Sequence, residues 1–201
     1  MALTLGISGN YIAMGVELVV FTVLFYPVSG AQFNPAISIC LLIKNRMRPL
    51  QTMGYVGSQF LGVFCAVLLF YFMVGRTYVL MPQQNINILK PLAIEILFSF
   101  IVVLAYLKMK KASVEGFLSP DKFFFLPGSA LLVAGLAGAS LSGGAFNPAI
   151  GLGPVLAEIF IKSGYPLSHC WIYGLGPLIG GIAAVITDTY IYAEKKMDHG
   201  A

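Results

Sequence analysis

One nine-residue passage occurs twice in this chain, and the pair constrains the fold more than any other feature. Ser29-Gly30-Ala31-Gln32-Phe33-Asn34-Pro35-Ala36-Ile37 returns 113 residues later as Ser142-Gly143-Gly144-Ala145-Phe146-Asn147-Pro148-Ala149-Ile150, with seven of the nine positions identical. A single Asn-Pro-Ala is an ordinary turn starter. Two matched copies inside apolar sequence indicate an internal duplication. Pro fixes its own φ and lacks an N–H, so it suits the first position of a helix, and Asn before it is a favoured cap. Asn34-Pro35 and Asn147-Pro148 are therefore expected to start helices abruptly. The glycines just upstream (Gly30, Gly143 and Gly144) let an extended chain pack closely and turn its carbonyls toward a cavity. In a membrane protein, interrupted apolar segments in corresponding halves point to a transport site.

The sequence around both copies is membrane-grade. Hydrophobic residues make up 58% of the chain and charged ones 10%, far from soluble averages. No charged residue lies between Arg48 and Arg76, between Lys122 and Glu158, or between Lys162 and Asp188. A spanning helix needs about 20 apolar residues, so each gap can hold one. Two further segments carry one acid each, Glu17 and Glu95. The pattern predicts five full spans, at about 10–28, 49–75, 89–107, 123–141 and 168–192. The apolar runs after the repeats, about 35–43 and 148–157, are too short to cross and read as half-helices.

Orientation follows from the placement of Lys and Arg. If each half-helix folds back to the side it came from, one face holds Lys44, Arg46, Arg48, Lys108, Lys110, Lys111, Lys122, Lys195 and Lys196. The other holds Arg76, Lys90 and Lys162, so the chain's 12 basic residues divide nine against three. The first face is expected to be cytoplasmic (or matrix-side), with the C-terminus there and the N-terminus opposite. This bias accounts for the net charge of +4 without a nucleic-acid partner. The first nine residues lack a basic stretch and a cleavage site, so no signal peptide is expected.

Two half-helices entering from opposite faces would meet tip to tip at membrane depth. Irregular backbone survives there only when buried in protein or lining a wet cavity. Each tip carries partial positive charge from its helix dipole, and the Asn amides would donate to a passing oxygen. Cations are disfavoured at such a constriction, while neutral hydrogen-bonding solutes can pass. Taken by itself, the repeat is also compatible with two capped core helices in a non-conducting bundle.

The remaining spans carry a family resemblance. Tyr55-Val56-Gly57-Ser58-Gln59-Phe60-Leu61-Gly62-Val63-Phe64-Cys65-Ala66 resembles the third membrane helix of aquaporins and glycerol facilitators, with its Tyr-x-x-Ala-Gln-x-x-Gly-Ala pattern. Trp171-Ile172-Tyr173-Gly174-Leu175-Gly176-Pro177-Leu178-Ile179-Gly180-Gly181 is similar to the family's last helix, where Trp-x-Tyr-x-x-Gly-Pro-x-x-Gly-Gly is usual. Glu95 followed by Ser99 resembles the Glu-x-x-x-Thr of its fourth helix, and Gly153-Pro154 falls where the family places Gly-Pro. The match runs from about residue 10 to 192 in the family's order, and the chain is identified as a member. The resemblance implies an all-α membrane protein, an aquaporin-like right-handed bundle of five full transmembrane helices plus two re-entrant half-helices in inverted pseudo-repeats. It implies one membrane domain over 1–201, with halves at 10–75 and 89–192. It also implies a passive channel for water or small uncharged solutes, built on Asn34, Pro35, Ala36, Asn147, Pro148 and Ala149.

Three departures from the family stand out. A span precedes the first repeat where the family has two, and the nine residues upstream are expected to be too few for a helix. By offset from the motifs, the selectivity-filter positions are Met14, Gly135, Gly144 and Ile150, with Ile150 standing where the family normally has Arg. Such a filter is apolar and differs from a water-selective one built on His and Arg. Gly151 replaces the usual Ser or Asp, which weakens the start of the second half-helix.

An acid in hydrocarbon asks for partners. The resemblance gives Glu95 a structural role, accepting N–H groups of the loop before the second half-helix. Two roles are open for Glu17: replacing the first-helix acid, with N–H groups near residues 29–34 as its partners, or lining the cavity. Asp188 is expected to be solvated at the end of the last span. Trp171, Tyr190 and Tyr192 suit headgroup belts. Gly54, Gly57, Ser58 and Gly62, like Gly174, Gly176, Gly180 and Gly181, are expected to let helices approach closely.

Cys40, Cys65 and Cys170 are an odd number at unrelated spacings within apolar sequence, which favours packing over a disulfide or metal. No nucleophile–base pair, metal-ligand cluster or phosphate loop is present, so neither an enzyme nor a cofactor is implied. The expected partners are the lipid bilayer, water or a small neutral solute, and either three further copies (a homotetramer, by resemblance) or other membrane subunits covering the place of the first helix. The alternative function is a non-conducting structural subunit of a larger membrane complex.

Overall fold

In a computed structural model of the chain, residues 1–115, 123–161, 164 and 168–198 are described, the side chains of 113–115 and 192–198 excepted. Lys122 and Lys162, and the side chains of Tyr192, Lys195 and Lys196, lie outside the described residues. Among these residues the secondary structure is helical throughout: α1 (Ala2–Ser8), α2 (Tyr11–Ser29), α3 (Pro35–Ile43), α4 (Pro49–Val74), α5 (Leu89–Glu115), α6 (Phe125–Ser142), α7 (Pro148–Ile161) and α8 (Ile172–Asp198). Five of them, α2, α4, α5, α6 and α8, are long and apolar enough to cross a membrane. Large apolar side chains such as Val16, Leu24, Leu61, Phe72, Leu136 and Ile186 point outward, as lipid contact requires.

Local sequence sets the helix ends. The Asn10 side chain accepts the Ala13 N–H at 3.0 Å and opens α2; Pro49 opens α4 at a position that needs no N–H. Gly30, Gly75 and Gly143 close α2, α4 and α6 in the left-handed conformation, with φ of 69°, 78° and 90°. Several of the expected boundaries move, with α7 running on to Ile161 and α8 to Asp198. α5 continues past 107 through Lys108, Lys110 and Lys111, since lysines are good helix formers. α8 begins at Ile172, after a turn over 168–171.

The internal repeat is visible in the packing. α2 lies against α6, and α5 lies against both α6 and α8. These contacts are close because glycines remove side chains at the crossings. A Cβ on Gly15 would stand 2.6 Å from Leu132 Cβ, and one on Gly180 would stand 2.2 Å from the Ile96 carbonyl oxygen. α4 differs from what its glycines led us to expect: an added Cβ on Gly54, Gly57 or Gly62 meets nothing within 4 Å. Among the described residues, no helix packs closely on these three positions. The N-terminal nine residues also differ, because they form α1, a seven-residue helix packed on α4 and α2. It is short for a span, yet it holds Tyr78, whose hydroxyl donates to the Ala2 carbonyl at 2.6 Å.

Candidate functional site

α3 and α7 meet at their N-termini. The Asn34 Oδ1 accepts the Ala36 N–H at 2.9 Å. Asn147 caps α7 likewise, accepting the Ala149 N–H at 2.9 Å and the Ile150 N–H at 3.4 Å. Pro35 and Pro148 stand first in each helix, where no N–H is needed. With each oxygen held by its own helix, each amide nitrogen reaches across to the other repeat. Asn34 Nδ2 donates to the Phe146 carbonyl at 3.0 Å, and Asn147 Nδ2 donates to the Phe33 carbonyl at 2.8 Å. Each Asn thus holds the residue before the other, and buried Ala36 and Ala149 leave room for the approach.

The segment leading into α7 bends sharply at Phe146, whose φ is 47°. That conformation costs a bulky L-residue roughly 1–3 kcal/mol. Glu95 offsets it from the side. Its Oε1 accepts the Ala145 N–H at 3.0 Å and the Ser142 hydroxyl at 2.8 Å, and its Oε2 accepts the Phe146 N–H at 2.7 Å. The carboxyl is wholly buried, and these bonds are what make its burial tolerable. Among the described residues the first copy has no such clamp. Gln32 and Phe33 match Ala145 and Phe146 by the 113-residue offset, and among the described residues their N–H groups meet no acceptor. Glu17 does not supply one. Its carboxylate turns instead to α1, where it accepts the Thr4 hydroxyl at 2.8 Å and pairs with the Met1 ammonium.

The carbonyls of both approach segments are nearly all taken by the chain's own donors. Tyr55 and Tyr173 donate to the matching Ser29 and Ser142 carbonyls at 2.8 Å and 2.6 Å. Tyr106 donates to Gly30 at 2.7 Å, Gln59 Nε2 to Gln32 at 2.5 Å, and Tyr11 to Gly143 at 2.8 Å and more weakly to Gly144 at 3.3 Å. Among the described residues, Ala31 and Ala145 carry the carbonyls left over. These donors were not singled out in the sequence as chemistry. Tyr55, Gln59 and Tyr173 stand inside the family-like motifs, so a signal existed. Tyr11 and Tyr106 had none beyond an aromatic in a membrane helix.

The four positions expected to form the filter are all buried. Met14 is 0% exposed and Ile150 is 3% exposed, and both belong to one apolar cluster with Phe146 and Ala149. Gly135 and Gly144 face the Tyr11 ring. An added Cβ would stand 2.1 Å from Tyr11 Cδ1 at Gly135, and 2.3 Å from Tyr11 Oη at Gly144. Between the tips remains a cavity of about 20 Å³, lined by Leu18, Asn34, Ile37, Tyr106, Phe146 and Asn147 among others. That is room for about one water.

Two acids outside the tips are paired. Asp188, expected to be solvated, is buried: the Lys44 ammonium lies 2.8 Å away and that of Lys108 lies 3.9 Å away. α3 ends at Ile43, next to Lys44, which brings the cation to α8. Glu158, near the far end of α7, accepts the Thr77 hydroxyl at 2.5 Å.

A bundle of apolar spans with two half-helices joined at capped tips defines a class, the multi-pass membrane channel. The family model described as Major intrinsic protein matches residues 2–188. The chain is 31% identical to the probable aquaporin TIP4-1 of Oryza sativa subsp. japonica, over 94% of this chain and 73% of that one. It is 29% identical to aquaporin-8 of Mus musculus, over 95% of this chain and 73% of that one. The glycerol uptake facilitator protein-like 6 of Lactiplantibacillus plantarum is also 29% identical, with 86% and 80% covered. In fold, the chain is similar to the solved aquaglyceroporin of Plasmodium falciparum, with a TM-score of 0.76 at 20% identity, over 92% of this chain and 85% of that one. The chain belongs to the major intrinsic protein family, whose members are membrane channels for water and small solutes, and it is an integral, multi-pass membrane protein with the aquaporin fold.

Proposed function

We propose that the whole chain works as one passive channel for water and small uncharged solutes, its path running between the Asn34 and Asn147 tips and through an apolar constriction formed by Met14, Gly135, Gly144 and Ile150. The observation that carries this reading is the reciprocal bonding of the two tips, from Asn34 to Phe146 and from Asn147 to Phe33. It sets the positive ends of α3 and α7 against each other, where cations are opposed and neutral donors and acceptors are not. With Ile150 at the constriction, no fixed cation competes for a solute's oxygens. Small polyols should therefore pass at least as readily as through a filter with Arg, and water selectivity should be poor. The basic end, with Lys44, Arg46 and Lys108, is the cytoplasmic or matrix side in this reading. No step calls for catalysis or a cofactor.

The test is swelling of vesicles carrying the purified chain. Glycerol flux above that of protein-free vesicles is expected, with no potassium flux, and Ile150→Arg should suppress the glycerol flux by narrowing the constriction. Potassium flux, or glycerol flux indifferent to Ile150→Arg, would contradict the reading.

A second reading, a structural subunit of a larger membrane complex, rests on a groove of about 460 Å³ beside α2 and α4, lined by Phe21, Phe25, Gln32, Tyr55, Gln59 and Gly62 among others. Gly62 of α4 lines the same groove and Gly54 lines a pocket that adjoins it at Ser29, Tyr55 and Ser58, and lipid tails cannot satisfy the N–H groups of Gln32 and Phe33. A neighbouring protein would cover it, either another copy in a homotetramer or a different membrane subunit. Migration of the mildly purified chain as a lone monomer would count against such a partner.

A further inference from the structure

We propose that Tyr11 is a built-in plug: its ring closes the constriction, and a small hydroxylated solute opens it by taking over the bonds its phenol makes. This rests on the channel reading above and names the gate of that same site. Gly135 and Gly144 are the constriction positions without side chains, so they would leave the widest opening. That space is filled. The ring lies on Gly135 and the hydroxyl on Gly144, each so close that a Cβ would overlap it, at 2.1 Å and 2.3 Å. Met14, one turn further along α2, is then sealed from that end, and Ile150, also almost fully buried, borders the groove beside α2 and α4.

The hydroxyl completes the closure. It donates to Gly143 at 2.8 Å and to Gly144 at 3.3 Å, the carbonyls a passing hydroxyl would otherwise use. A phenol that fits between two glycines and donates to a backbone carbonyl has the chemistry of the solute it excludes: an apolar face and a hydroxyl donor. The class admitted is therefore small neutral polyols and their like, which can replace both features. Tyr11 is also placed to move. It is the first residue of α2, directly after the Asn10 cap and two residues after the left-handed Gly9 (φ 60°), around which an added Cβ meets nothing within 4 Å. A change of its side-chain torsion leaves the Asn10–Ala13 cap and the rest of α2 in place.

The test pairs flux with labelling. In a background of Cys65→Ser and Cys170→Ser, an Ile150→Cys reporter is exposed to a membrane-impermeant thiol reagent. Glycerol swelling is measured on chains with native Ile150. Tyr11→Ala removes the ring as well as the hydroxyl, so it should raise both labelling and flux beyond the about two- to tenfold that one net hydrogen bond is worth. Tyr11→Phe keeps the ring on Gly135 and frees the carbonyls, so a smaller rise in both is expected. Labelling as slow in both variants as with Tyr11 in place overturns the plug. So does fast labelling or full flux with Tyr11 present that neither variant increases, and in that case the channel reading stands. Labelling that rises in Tyr11→Ala while glycerol flux stays at the protein-free level keeps the plug and overturns the channel.

Discussion

Glu95 accepts the Ala145 and Phe146 N–H groups, so removing it leaves two donors buried without partners. Each such donor costs about 1–3 kcal/mol, so Glu95→Ala should destabilise the chain by about 2–6 kcal/mol and lower its Tm in detergent. Glu95→Gln keeps one acceptor oxygen and should fall between. A Tm unchanged by Glu95→Ala would show that the bent segment around Phe146 holds itself. Glu95 was legible in the sequence because a lone acid in an apolar span must have a reason to be there. Tyr11 was not, since a tyrosine at the start of a membrane helix also suits the headgroup belt; its ring points inward only because Gly135 and Gly144 leave space across the bundle. Glu17 shows the converse. Its neighbour Met14 was legible as an inward residue, yet the acid itself turns outward to α1 and Thr4.

At the scale of helices, two glycine-rich faces that look alike in sequence behave differently. α8 is pressed against α5 at Gly180, where a side chain would collide with the Ile96 carbonyl. α4 presents Gly54, Gly57 and Gly62 to open space. Gly180→Leu should therefore cost at least about 1–3 kcal/mol, the range for overpacking a well-filled core, whereas Gly57→Leu should leave Tm within experimental error. If α4 docks on another protein, Gly57→Leu should also shift the size of the mildly purified particle. Equal Tm losses in the two variants would mean that α4's face is occupied within the chain. Small residues announce a close approach without saying which element approaches, so this contrast could not be read from spacing. The spans were legible because the gaps between charges match the membrane's thickness. The extent of α5 was not, because lysines continue a helix beyond the apolar region. Nor was α1, since seven residues carry too little periodicity to mark a helix.

Over the whole molecule, the duplication produces matching halves around α3 and α7, with the repeats equivalent in some bonds and not in others. The Asn caps, the crossed amides and the Tyr55 and Tyr173 bonds to Ser29 and Ser142 are common to both. Among the described residues the carboxylate clamp serves the second copy alone, while the groove beside α2 and α4 flanks the first. The shared features bring the tips together, and the unshared ones set the second approach segment firmly and leave the first beside an open groove. Since the tips meet at the positive ends of two helices, passage between them should favour neutral solutes over cations. The direct measurement is glycerol and potassium flux through vesicles carrying Tyr11→Ala, in which the ring no longer fills the constriction. We expect glycerol to enter well above the protein-free rate while potassium does not. Glycerol entry at the protein-free rate, or potassium entering alongside glycerol, would contradict a neutral-solute path between Asn34 and Asn147.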